Sequence, residues 1–94
     1  MAEEKEFRDA YILVLSTVRE KVKNGTASPA EMRDYDWLGT ANDASLSQTV
    51  DKMIRAIKAD EVRSDWMRNN PLLGRAARKV GLTTSPELRA FFGN

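Results

Sequence analysis

The chain has neither cysteine nor histidine. Without cysteine there are no disulfides and no thiolate nucleophile. Without either residue the commonest zinc sites and the usual proton-transfer side chain near neutral pH are also excluded. Only a carboxylate metal site stays open, and none is expected. No apolar run approaches the roughly 18 residues of a membrane span. The start, Met1-Ala2-Glu3-Glu4-Lys5-Glu6, is acidic where a secretory signal would be basic and then apolar. The expected location is the cytoplasm, that of the host cell if the protein is viral, with no membrane partner. There is no glycine-rich phosphate loop and no nucleophile elbow, so neither enzymatic activity nor a cofactor is expected. Sustained period-two alternation is also missing, which leaves an all-α fold as the expectation.

What is present is 94 residues, enough for a single domain over residues 1–94. A domain this small buries a modest fraction of its surface, so self-association into a homo-oligomer is expected to help stabilise it. Charge is unevenly spread. Met1 to Ser47 carries six Lys/Arg against nine Asp/Glu, a balance of −3, whereas Gln48 to Asn94 carries nine against five, a balance of +4. From Arg68 onward there are five basic residues, and Glu87 is the one acid. Such polarity can attract phosphate at one end, although a basic solvated face accounts for it equally well.

Four to five helices follow from the pattern. The first spans about Glu3 to Asn24, with Phe7, Tyr11, Val14, Val18 and Val22 along one stripe, acids at its start and bases at its end to complement the dipole. The consecutive apolar residues Tyr11 to Leu15 encircle the helix. Either they are buried from several sides within the monomer, or they pack against a neighbouring subunit. The second alternative is the expectation for Tyr11, Ile12, Val14, Leu15 and Val18, with residues 1–69 as the helical scaffold for oligomerisation.

Asn24-Gly25 stops that helix, and Ser28, Pro29 and Glu31 make a capping box for the next, giving an N-terminal antiparallel hairpin. The second helix is expected to place Met32, Tyr35 and Leu38 inward, with Trp37 to one side and Arg33, Asp34 and Asp36 outward. Gly39 to Ala44 interrupts, and Ser45-Leu46-Ser47-Gln48 offers a cap for a third helix whose stripe is Leu46, Val50, Met53, Ile54 and Ile57. Ala59, Val62 and Trp66 form a rotated stripe, from a break near Lys58 to Asp60 or from slow drift of a long helix. Asp51 and Arg55, four apart, are expected to pair. Asp34 and Asp36 lie two apart and so point to different faces, and Asp60, Glu61 and Asp65 have the pattern of helix-surface charges; none makes a catalytic or metal motif.

Residues 70–94 form a basic C-terminal helical segment. Asn70 caps and Pro71 begins a helix carrying Leu72, Leu73, Ala76, Ala77 and Val80. Gly81 ends it, and Thr84 or Ser85 caps a last helix with Leu88, Phe91 and Phe92 inward. The form is that of a short helix-turn-helix. Arg75, Arg78 and Lys79 would meet DNA phosphates and Thr83, Thr84, Ser85 and Arg89 would face the groove, with Arg68 extending the basic surface.

Two stretches resemble phage DNA-packaging proteins. Val18-Arg-Glu-Lys-Val-Lys-Asn-Gly-Thr-Ala-Ser-Pro-Ala-Glu-Met32 resembles the hairpin of some terminase small subunits, and Asn70-Pro71 through Gly81-Leu82-Thr83 is similar to the closing stretch of another small-terminase family. The chain departs from the first at Trp37-Leu-Gly-Thr-Ala-Asn-Asp43, and its basic segment comes last where many small terminases put a DNA-binding domain first. The resemblance implies a ring-forming oligomer that recognises viral DNA and hands it to a large terminase subunit, itself without nuclease or ATPase activity. The alternatives are a phage or bacterial protein-binding inhibitor or adaptor and a small helix-turn-helix transcriptional regulator.

Overall fold

The computed structural model describes residues 3–38, 45–59 and 66–93, and the fold is all-α. Its helices are α1 (Glu4–Asn24), α2 (Pro29–Leu38), α3 (Ser45–Lys58), α4 (Trp66–Asn69), α5 (Pro71–Lys79) and α6 (Ser85–Phe92). The helix boundaries follow from local chemistry. Gly25 and Gly81, at φ +73° and +87°, adopt the left-handed conformation that ends α1 and α5. Both ends are Schellman motifs: Thr26 N–H bonds Lys21 O and Gly25 N–H bonds Val22 O, while Leu82 N–H bonds Ala77 O and Gly81 N–H bonds Arg78 O. Ser28 and Glu31 form the expected reciprocal box, with Ser28 N–H donating to Glu31 Oε1 at 2.8 Å and Glu31 N–H to Ser28 Oγ at 3.1 Å. Thr84, rather than Ser85, caps α6, accepting from Glu87 N–H at 3.2 Å.

α1 is the central helix, with α2, α3 and α5 packed around it. Phe7, Tyr11, Leu15 and Val18 are solvent-free and Val14 nearly so, all within one copy of the chain. The inter-subunit role expected of Tyr11, Val14, Leu15 and Val18 is therefore corrected. The other helices surround α1 on enough sides to bury this stripe unaided, as the first of the two alternatives had it. Ile12 is half-buried against the same core, and Leu13 remains 57% exposed. The tightest packing is between α1 and α5, where Ala76 and Ala77 are fully buried and their small size lets the backbones approach. Gly74 does the same on the α4 side, since a Cβ there would stand 3.0 Å from Met67 O.

α3 buries Leu46, Val50, Met53, Ile54 and Ile57, the predicted stripe. It runs antiparallel to α1, pinned by Lys58–Glu4 at 2.7 Å and by Arg8, which donates to Asp51 at 2.8 Å and also reaches Ser47. Arg8 is the main partner of Asp51, through a directional hydrogen bond across the helix interface, and the expected neighbour Arg55 adds a smaller electrostatic pull on the same carboxylate. α6 closes the other side: Leu88 is buried, and Phe91 and Phe92 gather on Phe7 with ring centroids 6.4 and 5.0 Å away. The interruption at Gly39 to Ala44, the Ser45 cap, the side-chain placements of Trp37, Leu38, Val62 and Trp66, and the surface roles of Asp60, Glu61 and Asp65 lie outside the described residues. So does most of the suspected break after Lys58.

Leu15→Asp places an unpaired charge in the centre of the monomer. The expected result is loss of the helical circular-dichroism signal and of a cooperative melt. A well-folded Leu15→Asp chain that had merely lost mass by light scattering would put this side chain at an interface instead.

Candidate functional site

α2 turns an unusual face inward. Among its described side chains the buried ones are Glu31, Asp34 and Tyr35, whereas Met32, expected inside, is 43% exposed. Asp34 is thus corrected from outward to inward; Asp36 is exposed as expected. A buried carboxylate must recover in hydrogen bonds what it loses in hydration, and Glu31 does so from three directions. Oε1 accepts Ser28 N–H. Oε2 accepts Lys21 Nζ of α1 at 3.1 Å and Arg75 Nη1 of α5 at 2.6 Å. The Ser28 N–H first, then the Arg75 and Lys21 bonds, outweigh the burial and hold the carboxyl at about 2.

Asp34, one turn further on, has a single strong donor. Its Oδ2 accepts Leu72 N–H at 2.9 Å. Leu72 is the second residue of α5, so Asp34 performs across the interface the capping role expected of Asn70. Asn70 occupies the N-cap position, but the acceptor for this free N–H comes from 38 residues away in sequence. Beside Asp34 lies the Tyr11 hydroxyl, fully buried and without a hydrogen bond among the described residues. Burial raises the Asp34 carboxyl, against the downward pulls of Leu72 N–H and Arg75. Burial, and then the Asp34 charge, raise the Tyr11 hydroxyl.

These bonds fix the layout of the basic residues. Asp34–Leu72 and Glu31–Arg75 run α2 antiparallel to α5, and Lys21–Glu31 runs it antiparallel to α1. The C-terminal ends of α1 and α5, both basic, therefore lie on one side of the molecule. Among the residues expected to contact DNA, Arg75, Arg78 and Lys79 stand at i, i+3 and i+4 on one flank of α5. Arg78 and Lys79 are exposed and make no ion pair among the described residues, whereas Arg75 is paired with Glu31. Arg68 is exposed on α4 and Arg89 on α6.

Thr83 and Thr84 are exposed, and their hydroxyls are engaged within their own turn. Both hydroxyls donate to Glu87 Oε1, at 2.8 and 3.0 Å, and Thr83 N–H joins them at 3.1 Å. These bonds, led by the Thr83 hydroxyl, lower the Glu87 carboxyl. Ser85 Oγ accepts from Met67 N–H at a long 3.4 Å. The hydroxyls expected to face a DNA groove are thus engaged in ending one helix and starting the next. Lys21 is the member of the basic side that sequence reasoning missed. Its place in the last turn of α1 is explained by the helix dipole, and nothing local shows that α5 arrives beside it.

Among the described residues no three Asp or Glu are grouped to hold a metal ion, and no helix is long and apolar enough to cross a membrane. Comparison with protein-family models, with curated proteins and with solved structures returned no match.

The two carboxylates oppose each other in acid. Glu31 contributes stability that is complete above its ordinary value of 4.5 and is lost as pH falls toward about 2. Asp34, raised, costs stability while ionised, and that loss is recovered as pH falls through its folded value. Acidification from neutrality should first raise and then lower the urea midpoint. Asp34→Asn, which keeps an acceptor for Leu72 N–H, should lose the rising limb and be at least as stable at pH 7. Asp34→Ala should lose about 1 kcal/mol as a missing cap. Tyr11→Phe, removing a buried unbonded hydroxyl, should be neutral or stabilising by up to about 1 kcal/mol; a loss of several kcal/mol would show that the hydroxyl is bonded in solution.

Proposed function

We propose that the chain is a non-catalytic DNA-engaging protein that meets the phosphate backbone with the flank of α5 bearing Arg75, Arg78 and Lys79, in the role of a phage terminase small subunit. The observation that carries the phosphate contact is the alignment of these three cations on one exposed flank, two of them without an ion pair among the described residues. Phosphate contacts position a protein on DNA, while base-edge contacts specify sequence. Engagement of Thr83 and Thr84 by Glu87 favours backbone contact over groove reading, and so weighs against a sequence-reading transcriptional regulator. The packaging role rests on the likeness of Val18 to Met32 and of Asn70 to Thr83 to small terminases. Assembly into a ring would use surfaces other than the buried α1 stripe, and among the described residues the large exposed apolar side chains are Leu13 and Met32.

Binding to duplex DNA of arbitrary sequence should weaken steeply with salt, and Arg78→Ala and Lys79→Ala should each reduce the logarithmic salt slope by about one. Affinity that does not respond to salt would overturn phosphate contact and favour a protein-binding adaptor. Light scattering addresses the assembly separately: a monomer at micromolar concentration would remove the ring-forming packaging role.

A further inference from the structure

Lys21 and Arg75 lie 54 positions apart and belong to different helices, yet both bond the same oxygen, Glu31 Oε2, at 3.1 and 2.6 Å. Their two nitrogens can therefore be no farther apart than these bonds laid end to end, a span that one phosphate group bridges. The layers are distinct: the Glu31 side chain is 4% exposed, while those of Lys21 and Arg75 are 42% and 43% exposed. The carboxylate lies beneath and the cations lie above it, toward water.

Each cation uses one donor on Glu31. An ammonium has three and a guanidinium five, so most of their hydrogen-bonding capacity remains for a ligand on the solvent side. Lys21 and Arg75 are balanced by Glu31 beneath them and by Asp34 near Arg75, and the excess positive charge of this flank comes from Arg78 and Lys79, which follow Arg75 on α5. Long basic side chains lose rotamer freedom when they bind a ligand. Here the bonds to Glu31 have already restricted them, and Ser28 N–H fixes the carboxylate from its other oxygen. We propose that Lys21 and Arg75 form a two-pronged site for a single phosphate group, with Glu31 as the positioning residue underneath.

This site deepens the phosphate-contact function and rests on it for its macromolecular ligand. The shared chemistry is a phosphate oxygen group, whether from a nucleic-acid backbone or from free phosphate. Glu31 remains ionised across the physiological range, since its carboxyl is held at about 2, so the scaffold beneath the prongs persists wherever phosphate is available.

The test is a backbone-amide NMR titration of the full chain at low salt, once with inorganic phosphate and once with a short arbitrary duplex. It compares the wild type with Lys21→Ala, Arg75→Ala and Glu31→Gln, each first checked for an unchanged thermal melt. Phosphate should shift the amides around Lys21, Ser28 to Glu31 and Arg75, and Lys21→Ala should weaken phosphate binding roughly tenfold, the value of one charge-assisted hydrogen bond. Lys21→Ala should also reduce the salt slope on the duplex by about one. Glu31→Gln is decisive for positioning. Glutamine retains the capping box and adds net positive charge, so a site governed by charge alone would strengthen, whereas a positioned site should weaken several-fold. Duplex binding that persists unchanged in Lys21→Ala overturns the two-pronged site and leaves the α5 contact standing. Phosphate shifts at Lys21 and Arg75 without any duplex binding support the site and overturn the DNA ligand. If Glu31→Gln unfolds, Lys21→Ala alone decides, because its side chain is nearly half exposed.

Discussion

A carboxylate taken out of water has to be met by donors from elsewhere in the molecule, and the burial of Glu31 is the constraint on which the arrangement of three helices depends. Its two oxygens collect Ser28 N–H, Lys21 from α1 and Arg75 from α5. Hydrogen bonds of this kind are directional, so they fix rotation and register as well as distance. Asp34, on the same face, adds a second fixed point by taking Leu72 N–H. Among the described residues α2 is thereby docked through two buried carboxylates beside Tyr35, whereas α3 is docked by an apolar stripe. The contrast matters energetically. Apolar packing tolerates small shifts, but displacing α2 would strand a buried charge, a change that typically costs 3–5 kcal/mol.

The polar joint adjoins a core whose other buried side chains are almost all apolar. α1 passes through the middle of the chain, and its stripe from Phe7 to Val18 is met by α5 through alanines small enough to bring the two backbones together. The Phe7, Phe91 and Phe92 cluster lies toward the beginning of α1, and the Glu31 network toward its end. Arg75 links the halves of this design. It reaches the network from a helix whose buried side, Leu72, Leu73, Ala76 and Ala77, belongs to the apolar core.

Helix starts and stops were legible in the sequence because their chemistry is local. In their capping roles Ser28, Glu31, Gly25 and Gly81 each act within a few residues of their own position, so spacing alone identifies them, and it narrows the α6 cap to Thr84 or Ser85. Periodicity also revealed the α1 and α3 stripes. It did not reveal what those stripes would meet, and for that reason Tyr11, Val14, Leu15 and Val18 were assigned to a subunit interface when the chain itself covers them. The polar residues of α2 and α5 were harder still. Asp34 and Asp36 are the same residue type two positions apart, and the inward turn of Asp34 is determined by an N–H 38 residues away. Arg75, read as a phosphate-contacting cation, and Lys21, read as a helix-end charge, show no common partner in the sequence for the same reason: Glu31 becomes their shared neighbour only after α2 and α5 have packed. Thr83 and Thr84 carried both a capping and a recognition meaning, and the position of Glu87 three and four residues later was the signal that favoured capping.

The buried carboxylate also bears on which phosphate ligand the proposed site would favour. Glu31 does not leave when an anion arrives, because it is buried, ionised at neutral pH and fixed by Ser28 N–H from its other oxygen. An incoming phosphate therefore meets two cations already offset by Glu31 and, at Arg75, by Asp34, and its attraction to this corner alone is modest. A polymer changes the balance. Once one phosphodiester is seated, its neighbours along the strand are at high effective concentration for Arg78 and Lys79 on the same flank, and the contributions multiply without any new contact type. Repetition of the flank in an assembled oligomer would multiply them again. The arrangement thus favours an extended phosphate backbone over a free phosphate ion, because Glu31 weakens the single contact at Lys21 and Arg75 while Arg78 and Lys79 remain for the neighbouring phosphates.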